Sequence, residues 1–250
     1  MKLKHIAVAA SLMASGSAFA GATGNVGVFS EYLFRGIETS SGAAVQGGLD
    51  YSHASGLYAG TWVSNTGGPA AAGGTEMDFY GGYTVKAGPV GLDFGAVYYL
   101  YPEDEEDLGG EGFDYWEVYA KASYSYFAAQ FYYTTDYLGD ANDTAADALG
   151  KDTDAYYVNL LASFPLSETL SLGLQYGITG GEGAEVAWSA SADDGYQDYS
   201  ISLTKTLDAG MAMSLGVYGT SFEAGDGFGT VPADDDGPKA VISLKKTFDL

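Results

Sequence analysis

Residues 90–100 read Val90-Gly91-Leu92-Asp93-Phe94-Gly95-Ala96-Val97-Tyr98-Tyr99-Leu100. Val90, Leu92, Phe94, Ala96, Tyr98 and Leu100 share one face of an extended chain, and Asp93, Gly95 and Tyr99 share the other. Successive side chains of a strand point to opposite faces, so this is a strand with one greasy face and one polar face. Its length matches the roughly 9–11 residues a tilted strand needs to cross a bilayer. The pattern recurs. Trp116, Val118, Ala120, Ala122 and Tyr124 oppose Glu117, Tyr119, Lys121 and Ser123. Leu170, Leu172, Leu174, Tyr176 and Ile178 oppose Ser171, Gly173, Gln175, Gly177 and Thr179, and near the end Ala240, Ile242, Leu244 and Phe248 oppose Val241, Ser243, Lys245 and Thr247.

About twelve such segments follow one another, by the strand criteria of alternation and bounding turn residues. They begin near Asn25, Ala43, Leu57, Thr75, Val90, Asp114, Phe127, Asp154, Thr169, Tyr196, Met211 and Lys239. Short connections at His53–Gly56, Lys86–Pro89, Ser125-Tyr126, Pro165–Glu168 and Asp208–Gly210 alternate with longer ones such as Asn65–Gly74, Pro102–Phe113, Leu138–Asp152, Gly180–Gly195 and Phe222–Gly237. Tight turns at one end, long loops at the other and both termini on the turn side are the wiring of outer-membrane barrels. A soluble sandwich has no reason to sort its loops by length. The fold expected is all-β: an antiparallel up-and-down transmembrane β-barrel with short periplasmic turns and long external loops. Tyr32, Phe34, Tyr58, Phe79, Tyr83, Tyr98, Trp116, Tyr124 and Phe248 lie where interfacial aromatic girdles would fall, although aromatics also pack ordinary strands.

The first twenty residues, MKLKHIAVAASLMASGSAFA, join Lys2 and Lys4 to a short apolar run and an Ala18-Phe19-Ala20 cleavage site. That is a secretory signal, too short to span a membrane as a helix. The expected organisation is a cleaved segment 1–20 and one barrel domain over 21–250. Composition narrows the function. Among 250 residues, 33 Asp and Glu face 10 Lys and Arg, a formal charge of −23, which argues against nucleic acid as a partner. There is no Cys, so thiolate chemistry and Cys-ligated metals are excluded.

The stretch Ser30–Asn65 resembles the opening of the TorF-type family of proposed porins of Gram-negative bacteria. The likeness rests on Tyr32-Leu33-Phe34-Arg35-Gly36, on Ala44-Val45-Gln46-Gly47-Gly48-Leu49-Asp50-Tyr51 and on Gly56-Leu57-Tyr58-Ala59-Gly60-Thr61-Trp62. The resemblance implies an outer-membrane barrel and a pore, with no catalytic residues to carry over. The chain ends Phe248-Asp249-Leu250, where outer-membrane strands commonly finish on an aromatic. Phe248 is left as the anchor that the barrel assembly machinery would read.

Glu31 and Arg35, four apart, are read as one face of one strand. An Arg facing lipid at mid-depth costs about 2–4 kcal/mol, so that face should point into the lumen. Glu31, Arg35, Asp50, Asp78, Asp93, Glu117 and Lys121 are the expected lumen-lining residues, forming an acidic constriction. The alternative is a polar network that fills a small barrel with its own side chains. Acid also concentrates in the long loops: Glu103-Asp104-Glu105-Glu106-Asp107 with Glu111, then Asp140, Asp143 and Asp147, then Glu182 and Glu185, then Asp234-Asp235-Asp236. Three readings stand for these loops: a vestibule that gathers cations, weak Ca²⁺ or Mg²⁺ ligation without an EF-hand spacing, or a solvated surface. The mature chain keeps one histidine, His53, in a short turn, so a Ser–His pair at the outer rim is not available. Gly225-Asp226-Gly227-Phe228-Gly229 lacks the Lys-Ser/Thr and helix of a phosphate loop. The expectation is a non-enzymatic, cation-preferring porin for small solutes, with no cofactor or metal, seated in outer-membrane lipid and open to homo-oligomer formation. Its rivals are a closed structural or adhesive barrel and a soluble periplasmic β-sandwich that binds a ligand.

Overall fold

A computed structural model describes residues 21–67, 74–102, 112–188, 195–222, 227–228, 231–232 and 237–250. Residues 1–20, expected as a cleaved signal, and the acidic runs at 103–111 and 234–236 lie outside the described residues. Twelve antiparallel strands form a closed barrel. They are β1 (Gly21–Phe29), β2 (Ala44–Ser52), β3 (Leu57–Asn65), β4 (Thr75–Ala87), β5 (Val90–Leu100) and β6 (Tyr115–Tyr124). The second half comprises β7 (Phe127–Thr134), β8 (Ala155–Pro165), β9 (Leu170–Gly180), β10 (Tyr196–Thr206), β11 (Met211–Thr220) and β12 (Lys239–Asp249). Each strand pairs with its sequence neighbours, and β12 closes on β1 with Phe248 opposite Gly24 and Leu244 opposite Val28. Closure satisfies every strand's backbone within the sheet, as a hydrocarbon solvent demands.

The faces sort as a membrane barrel requires. On β12, Ile242 is 52% exposed on the outside while neighbouring Ser243 is 9% exposed on the inside. Val28, Leu49, Leu160, Ile201 and Leu215 are likewise exposed on the outer wall. No isolated apolar residue is at issue here; a continuous belt of them faces outward, and in water such a belt would be an aggregation surface. Phe79, Tyr83, Tyr98, Trp116, Tyr124 and Phe248 stand on that outer wall. Tyr32, Phe34 and Tyr58, expected in the girdle, do not. Tyr58 falls on the inward parity of β3 with Gly60 and Trp62, and the other two belong to a loop that folds inward.

Two further departures from expectation share that cause. Strand β1 ends at Phe29, so Glu31 and Arg35 are not on a strand at all. They lie in the first long loop, where Leu33–Phe34 pairs with Ile37–Glu38 as a miniature hairpin. The long connections after β7 and β9 are not open loops either. They carry helices α1 (Asp140–Leu149) and α2 (Glu182–Trp188). α1 has Asp140 and Asp143 in its first turn, where the helix dipole favours acid, and ends on Gly150 at φ 65 with its N–H on the Ala146 and Asp147 carbonyls. α2 buries Gly183, Ala184, Ala187 and Trp188. Period-2 reading cannot see helices this short.

Candidate functional site

At the loop end the barrel interior is dry. Val97, Tyr99, Tyr115, Ala155 and Tyr196 of the wall form one apolar cluster with Tyr101, Phe113, Tyr137, Leu138 and the α2 residues Ala184, Ala187 and Trp188. Tyr99 stacks on Tyr115 with centroids 4.6 Å apart, Tyr115 meets Tyr137 edge-on at 5.6 Å, and Phe222 stacks on Tyr196 at 4.6 Å. The helices are tied to this roof and to each other: Trp188 Nε1 donates to the Tyr137 hydroxyl at 3.0 Å, Asn142 Nδ2 to the Gly183 carbonyl at 2.9 Å, and Lys151 pairs with Glu185 at 2.6 Å. Asp136, beside them, has its carboxyl pushed up by burial and by the like charges of Asp143 and Asp140.

Beneath the roof sits the hairpin of the first long loop. Arg35 and Gly36 both have positive φ, 49 and 84, the backbone of a tight two-residue hairpin turn. Gly36 fits because a Cβ there would meet the side chains of Thr220 at 2.6 Å and Asp198 at 2.9 Å. The turn aims Arg35 across the lumen. Its guanidinium pairs with Glu117 of β6 at 2.6 Å, the two side chains 6% and 1% exposed. The guanidinium carbon lies 4.8 Å from the Phe34 ring centroid, 5.3 Å from Tyr132 and 4.2 Å from Tyr157. Burial alone would lower the Arg35 pKa, but the Glu117 carboxylate, with Tyr99 and Tyr115 beside it, outweighs this and holds the pKa above its ordinary value, so the group remains a cation. The Tyr99 hydroxyl donates to the same Glu117 oxygen at 3.0 Å.

The hairpin is also held at its base. Tyr32 donates its hydroxyl to Glu76 Oε1 at 2.9 Å, its ring meets Trp62 at 5.2 Å, and its N–H donates to Ser40 Oγ at 2.8 Å. Lys239 of β12 pairs with Glu38, and with Glu31 at 3.7 Å. Asp78, next inward on β4 from Glu76, is buried, and among the described residues Asp78 Oδ1 and Glu76 Oε2 have no hydrogen-bond partner.

Toward the turn end the inner wall is half-exposed. Tyr58 donates to Asp93 Oδ1 at 2.7 Å and also meets the Tyr119 hydroxyl, while Tyr80 donates to Asp50. Asp93 stands directly opposite Lys121 in the β5–β6 register. Facing these are the short side chains Ser163, Ser200, Ser202 and Ser214, also half-exposed, and Lys245. Ser171 and Thr204 are buried exceptions in this half. The interior is therefore a polar cup open at the turn end and stoppered at the loop end.

Of the residues singled out from sequence, Asp50, Asp78, Asp93, Glu117 and Lys121 are on inward strand positions, Arg35 reaches the lumen from a loop, and Glu31 stays at the hairpin base on Lys239. Sequence reading passed over Glu76 and Asp198, though both share the inward parity of named neighbours. It also passed over Tyr132 and Tyr157, which nothing but the hairpin's path makes important. Asp198 accepts from Gln175 at 2.6 Å and from Tyr157 at 3.2 Å through Oδ1. Among the described residues no group of three or more His or carboxylate side chains converges as a metal site would.

A closed twelve-stranded barrel with a greasy exterior and a polar, loop-stoppered interior is the architecture of a membrane β-barrel. The chain belongs to a bacterial protein family of unknown function (Gcw_chp), whose model matches residues 13–248. Solved structures share the fold. A KdgM porin superimposes with a TM-score of 0.54 at 8% identity, over 90% of this chain and 99% of its own, and a NanC porin with 0.54 at 8% identity, over 92% and 100%. A KdgM porin in complex with disordered oligogalacturonate matches with 0.53 at 7% identity, over 91% and 99%. No protein with a curated description matches the chain in sequence.

Proposed function

We propose that this protein is a narrow channel of the Gram-negative outer membrane, passing small solutes by diffusion through the barrel lumen with a preference for cations. One observation carries the reading: the turn half of the lumen is left polar, lined by short side chains and half-exposed, while the obstruction above it includes a loop hairpin rather than wall residues alone. A barrel built as a solid rod would be filled by its own wall. The resemblance of Ser30–Asn65 to TorF-type porins supports the same reading, and so do the porins that share the fold.

The cation preference rests on charge. Asp50, Glu76, Asp78, Asp93, Glu117 and Asp198 face inward against Arg35, Lys86, Lys121 and Lys245, with Lys239 occupied by Glu31 and Glu38. Rings of carboxylates favour cations and repel anions. Oligogalacturonate, held by a KdgM porin, is a polyanion, and this lumen would oppose one. In this reading Asp50, Asp93 and Lys121 line the open cup, Asp78 and Glu117 line the constriction, and Arg35 with Glu31 belongs to the stopper. Lipid surrounds the belt, the assembly machinery reads the last strand through Phe248, and homo-oligomers are compatible with the outer wall. Segment 1–20 directs export. No catalytic role is assigned to any residue.

Recording the purified protein in planar bilayers tests this. The expected result is discrete conductance with a reversal potential in a KCl gradient on the potassium side, moved toward zero by D50N together with D93N. Chloride preference would overturn the charge argument. Silence from both the wild type and a variant with the hairpin removed would leave a closed structural barrel.

A further inference from the structure

The surroundings of Arg35 form a cation cage built almost entirely by the barrel wall. Tyr132 on β7 and Tyr157 on β8 offer ring faces at 5.3 and 4.2 Å, and Glu117 on β6 offers the carboxylate at 2.6 Å. Tyr99 on β5 orients that carboxylate. Asp198 on β10, beside the hairpin tip, is 3% exposed, and its Oδ2 has no hydrogen-bond partner among the described residues. Of the groups around the guanidinium, Phe34 alone travels with the hairpin. If the hairpin withdraws, the cage stays.

We propose that this cage is a binding site for guanidinium-bearing solutes, and that Arg35 fills it in the closed state as an internal stand-in for them. The inference rests on the channel reading and names the solute class for the same lumen. A guanidinium is planar, weakly hydrated and rich in donors, so it can stack on a tyrosine face while its edge meets a carboxylate. An anion would face Glu117, Asp198 and Asp78 together. A neutral solute could not replace the charge that Arg35 supplies. Withdrawal of Arg35 without replacement strands Glu117 as a buried, unpaired carboxylate, which is strongly unfavourable. The hairpin therefore leaves by exchange: a solute cation takes over Glu117 and the two tyrosines as Arg35 moves out, and the lumen opens behind it.

The test is calorimetric titration of the folded, detergent-purified barrel with ethylguanidinium chloride, folding being verified by heat-modifiable migration. Binding is expected to R35A, at least tenfold weaker to the wild type whose cage is filled, and absent from R35A/E117Q. Lack of binding to R35A, equal binding to R35A/E117Q, or equal binding of ethylammonium would each overturn the proposal. If R35A does not reach the heat-modifiable form, R35Q and R35Q/E117Q are titrated instead and the same results decide. Conductance is a separate readout. Binding to R35A in a protein silent in bilayers would uphold the cage and remove the channel.

Discussion

Arg35 and Glu117 are 82 residues apart and meet in the middle of a barrel. A buried ion pair adds little net stability over apolar packing, but losing one partner leaves the other's charge without compensation. R35A or E117Q should each lower unfolding stability by about 3–5 kcal/mol by that reasoning, measured from the folded and unfolded gel bands in a urea series. D93N, at a half-exposed position with water at hand, should change it by less than about 1 kcal/mol, in the range of screened surface charges. Equal losses at Glu117 and Asp93 would mean that the Arg35 pair is not desolvated. The alternation rule places Glu117 inward from sequence alone. It could not place Arg35, because the residue reaches the same point from a loop whose turn depends on two positive φ values.

At the scale of the element, the hairpin is a stopper fixed at two ends: the Arg35–Glu117 pair among tyrosine rings at its tip, and Lys239 with the Tyr32–Glu76 hydrogen bond at its base, while Phe34 and Ile37 pack on the apolar roof. The barrel strands do not depend on it, since all twelve pair with one another without it. Replacing Leu33–Glu38 with a short Gly-Ser linker should leave heat-modifiable migration intact and raise single-channel conductance several-fold. Unchanged conductance would assign the closure to α1, α2 and the tyrosine roof instead. The strand starts were legible to within one residue, except for β1, which begins four residues before Asn25. Strands announce themselves by alternation repeated over ten residues. The hairpin and helices do not, because their apolar residues are buried by tertiary contacts inside the barrel rather than by a periodic face of their own.

The whole molecule is polarised along its axis. Lys86, Lys121, Lys205, Lys245 and Lys246 sit in the turn half, whereas among the described residues Asp140, Asp143, Asp147, Glu182 and Glu185 lie in the helical connections at the loop end. If the channel reading holds, an axial field of this sign would gather cations at the loop mouth, more so at low salt. The outer belt is the other global feature. L215R, on the outer wall, should cost about 2–4 kcal/mol when refolded into lipid vesicles, whereas S202R, on the inner wall of the adjacent strand where Ser202 stands opposite Gly216, should cost far less. Equal costs for the two would contradict the assignment of inside and outside.

The amino-acid sequence by itself determined most of the barrel: a count of about twelve strands, their order, the short and long connections and the alternation of side chains along each strand. All of these are local, since a period of two and a turn residue are read within a dozen positions. The alternation is symmetric as to which parity faces lipid; the expectation of a polar lumen comes from the loop wiring and the cost of charge in lipid, and nothing in the sequence says what closes the lumen. Only the tertiary structure decided these, because both depend on segments far apart in the chain meeting in space. The greasy faces proved to be exterior once the sheet closed on itself. The stopper formed when a loop after β1, helices after β7 and β9 and tyrosines from five strands converged on a dry volume that no single segment encodes.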